Sequence, residues 1–431
     1  MGPITSGAVP SRSHRVLFLQ GPASSFLWHV AQILRSQGAT VHRILLCLGD
    51  RVFWPGQADW FRGRFADWRD FLAEYLVQHD ISSIVLLGDC RPYHQVAVSL
   101  ALSKAIDVHV VEHGYLRPCW LTIEPDGMNS FSRFPRTRHE ILELSAMPDA
   151  VGFDLGTTVW HESFLRYALQ DIAFNIPDAL FGWIAVPHYR RYASVSCWTE
   201  YGGWCLKGLL RPWTSFRTKQ KLRRLGLSRL ARVEDKPLFL FPLQLPGDFQ
   251  VRVHAPGGDH FKLVLATIES FSESAPVEAK LIFKIHPLDN GVNFWEYRIN
   301  RWARKFGVER RVVVLGGGDL GPMLETVKGV VTINSTVGLT ALQQGVPVIT
   351  LGNAIYDVDE LVSRQTLDDF WRSPERPDAD LLAAYLVALR KTIQVRGSFV
   401  HPEGSRVGAA AVAKRILEGY PGLDRVLPKI R

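Results

Sequence analysis

The sequence predicts an α/β protein built from two doubly wound units. Short runs of β-branched and apolar residues alternate with helical patterns twice along the chain, which is typical of parallel sheets with crossover helices. The length of 431 residues is that of about two domains. Hydrophobic side chains make up 47% of the chain and charged ones 21%, which excludes a disordered protein. We therefore expect two Rossmann-like domains facing a cleft, over 1–235 and 236–431.

Four strands are predicted in the N-terminal half, and each ends in a polar or glycine-containing turn. They span Arg15–Leu19, Val41–Cys47, Ser83–Leu87 and Val108–Glu112, with helices such as Ser25–Gln37 and Trp60–His79 between them. Ligands of open α/β sheets bind beyond the carboxyl ends of the strands. The turns, with Gln20, Gly21 and Asp50 among them, should therefore line one wall of the cleft. The stretch 118–192 is aromatic-rich, and its second part is predicted to be mostly helical.

Five strands are predicted in the C-terminal half. They span Pro237–Leu243, Lys280–Ile285, Arg311–Leu315, Gly329–Ile333 and Pro347–Leu351. Helices are predicted at His260–Ser270, Asn293–Lys305, Gly321–Val327, Thr336–Gln344 and Asp378–Gln394, and the last of these is expected to cross back to the first domain.

The positive charge is concentrated in one stretch. The formal net charge is +8, and the segment Lys207–Arg232 holds nine Lys or Arg residues and no acid, so the remainder is close to neutral. This distribution argues against a general nucleic-acid coat. Four leucines (Leu222, Leu225, Leu227 and Leu230) could form the apolar side of a short helix there. The segment then either lies on an anionic membrane surface or forms a solvated helix between the domains.

Several classes of protein lack support in the sequence. The five cysteines form no C-x-x-C pair, which favours a reducing, cytoplasmic setting. No apolar run is long enough to cross a bilayer, and the N-terminus lacks the apolar stretch of a secretory signal. A G-x-G-x-x-G at Gly316–Gly321 follows the third strand of its domain and lacks the acid that would hold a ribose, so it is read as a turn. P-loop, serine-hydrolase and zincin motifs are absent.

An anion-binding site is predicted in the second domain. Asn334, Ser335 and Thr336 come directly after a predicted strand and can cap the next helix, whose N-terminus favours phosphate. Lys284-Ile285-His286-Pro287 ends another strand of the same domain, and an imidazole can donate to a phosphate or a ribose.

Two carboxylates stand at predicted strand ends, one in each domain. Glu112 lies in Glu112-His113-Gly114, and Asp248 lies four residues after Gln244. Sugar transfer commonly uses such a pair, in which one group handles the acceptor proton and the other acts as nucleophile or stabilises the transition state. For either residue, the alternative is a loop carboxylate that caps a turn.

These residues resemble a known family, the bacterial capsule-polysaccharide β-Kdo transferases, and within it the type that adds the first Kdo to the lipid. The resemblance covers about Val16 to Leu361. It rests on the order of these short motifs: Val16–Pro22, Gly49-Asp50, Glu112–Pro118 with Thr122, Glu124, Gly127 and Asn129, Pro242-Leu243-Gln244, Asp248-Phe249-Gln250, Lys284–Pro287, Asn334–Thr336, Gly345–Val348 and Ala354–Asp357.

The resemblance implies a GT-B-type, retaining glycosyltransferase that moves Kdo from CMP-Kdo to a phosphatidylglycerol-type lipid and so starts the oligo-Kdo linker of the capsule. By position, His286-Pro287 and Ser335-Thr336 would hold the CMP moiety, together with Lys284, Gln244 and Asn334. Asp248 would be the nucleophile. Glu112 would be the acid of an E-D-G-like motif in which His113 replaces the second acid. Gln20, Gly21, Asp50 and Asn129 would line the acceptor-side domain.

The chemistry of this reaction sets further expectations. Donors already in place at Ser335, Thr336 and His286 would stabilise the leaving phosphate, so we expect no metal and no cofactor. The Kdo carboxylate calls for a cation, for which Arg117 is the candidate and Arg252 the alternative. The expected location is cytoplasmic and peripheral, on the inner face of the inner membrane, and the expected partners include capsule assembly and export proteins but no nucleic acid.

Two other functions stay open on the sequence alone. One is a GT-B transferase or epimerase that uses a UDP-sugar. The other is a non-catalytic, membrane-associated subunit of a capsule assembly complex, with the basic segment as its docking surface. The lipid acceptor and the oligomeric state are not predicted.

Overall fold

Two β-sheets organise the described part of this computed structural model, which comprises residues 14–148, 158–191, 195–227, 237–245, 247 and 249–426. In chain order the strands are β1 (Arg15–Phe18), β2 (Thr40–Leu45), β3 (Asp59–Trp60), β4 (Ser83–Leu87), β5 (Asp107–His113), β6 (Trp120–Pro125), β7 (Leu238–Pro242), β8 (Lys280–Lys284), β9 (Val312–Leu315), β10 (Gly329–Thr332), β11 (Val348–Thr350) and β12 (Gln394–Arg396).

The first sheet has the strand order β12-β6-β5-β4-β1-β2-β3, and the second has the order β11-β10-β7-β8-β9. Strands β1 to β5 pair in parallel, whereas β6 and β12 add an antiparallel edge. All pairs of the second sheet are parallel. The predicted α/β architecture with two Rossmann-like units is confirmed. We call the two units the first and the second lobe.

Helices cover the sheets and connect the lobes. They are α1 (Phe26–Ser36), α2 (Leu48–Val52), α3 (Trp68–Gln78), α4 (Pro92–Ser103), α5 (Arg138–Ala146), α6 (Phe164–Ala185), α7 (Cys197–Arg224), α8 (Phe249–His254), α9 (His260–Ser274), α10 (Trp295–Lys305), α11 (Leu320–Leu324), α12 (Thr336–Gln343), α13 (Leu367–Phe370), α14 (Ala379–Thr392), α15 (Pro402–Glu418) and α16 (Pro421–Val426).

The central strands are buried on both faces. In β7, Leu238 and Leu240 belong to one apolar cluster, and Phe239 and Phe241 belong to the cluster on the opposite face. Alternate side chains of a strand point to opposite faces, so a strand covered by helices on both sides reads as a continuous apolar run. This is why the central strands were recognisable from sequence.

The C-terminal segment returns to the first lobe. Strand β12 pairs antiparallel with β6, α15 packs against α1, and α14 packs against α5. The predicted domain boundary at 235/236 falls in 228–236, outside the described residues, and therefore stays a prediction.

Two long helices, α6 and α7, stand between the lobes, and we call them together the helical arm. Helix α6 has 22 residues and α7 has 28. The short helix predicted in the basic segment is the last part of α7, which ends with Leu225 as its C-cap, and Leu230 lies outside the described residues. Over the described residues, no helix has the length and apolar character required to cross a bilayer.

Candidate functional site

Both sheets have a topological switch point in the same place. Apart from β6 and β12, the first sheet reads β5-β4-β1-β2-β3, and the second sheet repeats that order as β11-β10-β7-β8-β9. The strand order reverses between β1 and β4 and between β7 and β10, and ligands of such sheets bind at the carboxyl ends of those strands. We therefore expect ligands of this protein to bind at the two switch points.

At the second switch point, two amides join the ends of β7 and β10. The Nε2 of Gln244 donates to Oδ1 of Asn334 at 2.8 Å, and the backbone N–H of Asn334 donates to Oε1 of Gln244 at 3.4 Å. Ser335 is the N-cap of α12, since its Oγ accepts the N–H of Val337 at 3.3 Å, and Thr336 is the first helical residue. The positive end of α12 thus opens at this crevice and suits an anion.

Lys284 and His286 lie next to this point, at and just after the end of β8. The Nδ1 of His286 accepts the backbone N–H of Leu288 at 3.1 Å, so the neutral ring carries its proton on Nε2. Burial, followed by the positive charges of Lys284, Arg117 and Lys207, lowers the pKa of His286. The ring is therefore a neutral hydrogen-bond donor at physiological pH.

Helix α7 fixes the loop that follows His286. The ammonium group of Lys207 donates to the carbonyl oxygen of Pro287 at 3.0 Å and to that of Asp289 at 2.5 Å. The Lys207 side chain therefore connects α7 to the loop of the second lobe that contains Pro287 and Asp289.

The end of β5 carries the acid predicted for the first lobe. Glu112 is half-buried, and its Oε1 accepts the backbone N–H of His113 at 2.9 Å. Arg117 is exposed, and its charge interacts with Glu112 and reaches the ring of His286. Because His286 belongs to the second lobe, the electrostatic interaction between Arg117 and His286 acts between the two lobes.

His113 stands where the motif would have its second acid. Burial, with a smaller contribution from Arg117, lowers the pKa of His113 to about 3, so the ring is neutral. The ring packs edge-on against Phe399, with centroids 4.8 Å apart. This position therefore has a neutral, packed ring in place of a carboxylate.

The first switch point is held by a charged network. Gln20 is fully buried, and its Nε2 donates to Oδ2 of Asp50 at 3.4 Å and to the hydroxyl of Tyr189 at 3.3 Å. Arg91 donates to the Oε1 of Gln20 at 3.2 Å. Asp50 is itself buried in an ion pair with Arg43, at 3.0 Å. This network positions Gln20 and places Asp50 behind it.

A cavity of about 740 Å³ lies between the first lobe, the helical arm and the loops of the second lobe. Of the predicted residues, Gln20, Gly21 and Glu112 line it. The other described ones do not: Asp50, Arg117, Asn129, Gln244, Arg252, Lys284, His286, Pro287, Asn334, Ser335 and Thr336. The structure therefore brings only part of the predicted set to this cavity, and Gln244, Lys284, His286, Asn334, Ser335 and Thr336 belong to the crevice of the second lobe instead.

Three further predictions concern Asp248, Arg252 and Asn129. Asp248 lies outside the described residues, although the preceding Gly247 lines the cavity. Arg252 is exposed on α8. Asn129 is buried with a positive φ of 50°, and its carbonyl oxygen accepts from Arg136 at 2.7 Å. Asn129 therefore shapes a turn beneath the cleft.

Sequence reasoning missed a cluster that joins the lobes. The Sγ of Cys90 lies 3.2 Å from Oδ1 of Asp89 and 3.2 Å from Nε2 of His254, whose Nδ1 is 2.5 Å from the hydroxyl of Ser130. The three ligand atoms of Asp89, Cys90 and His254 all lie within 4.8 Å of one another and could hold a metal ion. Their separations equally suit a chain of hydrogen bonds. The Gly88-Asp89 turn was visible in the sequence, but His254 comes from 164 positions beyond Cys90.

Arg91 and the inner wall of the arm were also missed. Arg91 lines the cavity, and so do residues of α6 that recur every three or four positions, namely Tyr167, Gln170, Asp171, Phe174, Asn175 and Asp178. This periodicity was available in the sequence, but the side of the helix that faces the protein was not.

Known proteins resemble this chain in structure and in sequence. Among solved structures, the β-Kdo 2,7 transferase of Thermosulfurimonas dismutans KpsC resembles the chain with a TM-score of 0.42 and 14% identity, over 94% of this chain and 99% of that one. A likeness at this level supports no inference about activity.

Sequence relatives extend over most of the chain. It is 31% identical to the capsule polysaccharide modification protein LipB of Neisseria meningitidis serogroup A over 90% of this chain and 92% of LipB. It is 30% identical to the capsule polysaccharide export protein KpsS of Escherichia coli over 89% of this chain and 96% of KpsS. Residues 82–400 match the family described as capsule polysaccharide biosynthesis protein. The chain therefore belongs to the capsule polysaccharide biosynthesis family, as its motifs predicted.

Proposed function

We propose that the protein is a retaining glycosyltransferase that moves Kdo from CMP-Kdo to a phosphatidylglycerol-type lipid and so starts the oligo-Kdo linker of the capsule. One observation carries the proposal: the anion-suited crevice at the second switch point is within electrostatic reach of Arg117, which in turn interacts with Glu112 of the first lobe. Membership of the capsule family supports a role in capsule assembly. The motif resemblance supports the choice of donor and acceptor.

The nucleotide is assigned to the second lobe. The N-terminus of α12 and the hydroxyls of Ser335 and Thr336 would receive the phosphate of CMP. The Nε2–H of His286 would donate to the phosphate or the ribose, and Lys284 would balance the charge. Burial lowers the pKa of Lys284, and Asp319 opposes that shift. The Gln244–Asn334 pair holds the two strand ends at a fixed spacing.

The sugar is assigned to the gap between the lobes. Arg117 is the better candidate for the Kdo carboxylate, because its charge reaches Glu112 on one side and His286 on the other. Arg252 stays the alternative.

The proposed reaction has two displacements. In the first, the Asp248 carboxylate attacks the anomeric carbon, and the bond to CMP breaks with its electron pair going to the phosphate. In the second, the acceptor hydroxyl attacks the same carbon and displaces Asp248, while Glu112 takes the hydroxyl proton. Two inversions retain the β configuration. Glu112 lines the 740 Å³ cavity, where an acceptor would meet it.

The acceptor is assigned to an anionic membrane surface, on the inner face of the inner membrane. Within α7, Arg211, Arg217, Lys219, Arg223 and Arg224 are exposed, as attraction to such a surface requires. Lys207 and Lys221 instead bond to carbonyl oxygens of the second lobe. Capsule assembly and export proteins are the proposed partners at that membrane.

Nucleotide release from CMP-Kdo and from UDP-sugars tests the proposal. We expect turnover with CMP-Kdo in the presence of phosphatidylglycerol, and Asp248→Ala should abolish transfer with CMP affinity retained. A preference for UDP-sugars would establish the transferase or epimerase alternative instead. The absence of turnover with every donor would favour a non-catalytic assembly subunit.

A further inference from the structure

Helix α6 exposes a stripe of aliphatic residues on the side that faces away from the protein. The side that faces the protein carries Gln170, Asp171, Asn175 and Asp178 together with the aromatic residues Tyr167 and Phe174, and all six line the 740 Å³ cavity. The opposite side carries Leu165, Leu169, Ile172 and Leu180, whose exposed fractions are 67%, 56%, 43% and 47%. A helix on a globular protein normally buries its apolar stripe. The exposed aliphatic stripe of α6 therefore indicates an apolar partner that covers it.

Hydrogen bonds fix this orientation. Asp178 accepts the backbone N–H groups of Leu48 and Gly49 through its two oxygens, at 2.7 and 3.1 Å. Asp171 accepts from the hydroxyl of Tyr201 at 3.0 Å. The polar side of α6 is therefore bonded to the first lobe and to α7, and the helix cannot turn its leucines inward without losing these bonds.

Helix α7 continues the apolar surface and adds the charge. Its exposed apolar residues include Leu206, Leu209, Leu210, Trp213 and Phe216. The two helices meet where the rings of Phe164 and Trp204 are 5.8 Å apart. The same helix carries five exposed cations, and no acid occurs from Lys207 to Leu227. The cations are Arg211, Arg217, Lys219, Arg223 and Arg224. Apolar residues combined with Lys and Arg favour an anionic lipid surface over an apolar protein partner.

An apolar groove lies on the outer side of α6, among its exposed leucines. It has a volume of about 410 Å³ and is lined by Phe53, Ser163, Leu165, Arg166, Leu169, Gln170 and Ala173. Gln170 also lines the 740 Å³ cavity, so the apolar groove and the cavity that Glu112 lines are neighbours along α6. A lipid lying there would have its tail in the groove, Arg166 near its phosphate, and its headgroup beside Gln170.

We propose that the helical arm is a membrane-docking surface whose outward apolar faces enter one leaflet of an anionic bilayer, and that the groove on α6 holds an acyl chain of the lipid presented to the cavity. The identity of this lipid as the acceptor rests on the proposed function. The docking itself rests only on the arm.

Binding to vesicles tests the docking without any donor or turnover. The full-length protein is sedimented with vesicles of phosphatidylcholine, with and without phosphatidylglycerol. We expect binding to the anionic vesicles. Leu165→Glu on α6 and Leu209→Glu on α7 should each weaken it at least about tenfold, since each removes an exposed leucine that would enter the leaflet and places a charge there instead. Circular dichroism confirms that these surface variants fold.

The matched control is Val277→Glu on the second lobe. Val277 is 79% exposed, close to the 80% of Leu209, but it lies outside the arm. Its substitution should leave vesicle binding unchanged. Equal loss in this variant, or unchanged binding in both arm variants, would overturn the docking. A third result would also overturn the docking: the wild type is a dimer, and the arm variants are monomers whose vesicle binding is unchanged. In that case a second copy of the chain would cover the arm.

A soluble, short-chain acceptor separates the two proposals. With it, Leu209→Glu should transfer Kdo at the wild-type rate although it binds vesicles poorly, because Leu209 lines neither the groove nor the cavity. If vesicle binding behaves as expected but no donor is turned over, only the proposed function fails. If turnover occurs and arm substitutions leave vesicle binding intact, only the docking fails.

Discussion

The two switch points share a strand order but differ in their chemistry. In each lobe a glutamine follows the first strand by two residues, Gln20 after β1 and Gln244 after β7. Gln20 is enclosed by Arg91, Asp50 and Tyr189, whereas Gln244 pairs with a single neutral amide. A shared topology thus fixes where a crevice lies, and the side chains around it decide what can bind there.

Because of this difference, we expect the two crevices to have different roles. The first crevice has charged groups that already neutralise each other, as in the pair of Arg43 and Asp50. The second offers a helix N-terminus, a neutral histidine donor and Lys284, which together suit an anion. We therefore expect substitutions in the first lobe to affect the chemistry or the stability, and those in the second lobe to affect nucleotide affinity.

The largest effect is expected at Glu112. Glu112→Gln should lower the rate of Kdo transfer by about 100-fold or more, because it removes the proposed general base. CMP affinity, measured by calorimetry, should stay unchanged. The matched control is Glu200→Gln, since Glu200 lines the same cavity but pairs with Arg191 at 2.8 Å. Comparable losses of rate in both variants would contradict the role of Glu112.

Next in size is the effect of His286→Ala on nucleotide binding. The loss of one hydrogen bond to a charged phosphate should weaken CMP affinity by about 10- to 100-fold. His139→Ala, an exposed histidine of the first lobe, serves as the control and should bind CMP normally. Unaltered CMP affinity in His286→Ala would remove the nucleotide from this crevice.

The two glutamines test the structural side of the comparison. Gln20→Ala and Gln244→Ala should each lower the free energy of unfolding by about 1 to 3 kcal/mol, because buried polar partners lose their hydrogen bonds. The loss should be greater for Gln20→Ala, because the Asp50 carboxylate and the Arg91 guanidinium each lose their hydrogen bond to the Gln20 amide. Scanning calorimetry gives the comparison, and a larger loss for Gln244 would reverse it.

The last expected effect is a pH dependence of stability from the first lobe. Burial raises the pKa of Glu124 from 4.5 to about 8, against the hydrogen bonds from Ser132 and Tyr115. Between these two values the folded chain holds more protons than the unfolded chain, so this group makes stability fall as the pH rises. Glu124→Gln should melt higher than wild type at pH 8 and close to it at pH 4.5. An identical pH dependence in both proteins would refute this origin.

Local signals account for the parts of the fold that sequence predicted well. Strand β4 has the predicted bounds, Ser83–Leu87, because it is buried on both faces and every residue is apolar or small. Strands β6 and β12 were not predicted. They form the antiparallel edge of the first sheet, and β12 has only three residues, so neither shows a long apolar run.

The helical arm shows the opposite case. Pro177 and Pro212 lie inside α6 and α7, where a proline normally predicts a break. The leucines of α6 were equally compatible with a core helix. Only the positions of the first lobe and of α7 show that these leucines point outward.

The sequence by itself determined the fold class, the family and the strand ends that carry polar residues, because burial periodicity, turns and motifs are local properties of the chain. Tertiary structure decided which of those residues meet. It placed Arg117 within electrostatic reach of His286, joined Cys90 to His254, and set Asp50 behind Gln20. Such meetings depend on the packing of segments that are distant along the chain, and no local pattern encodes them.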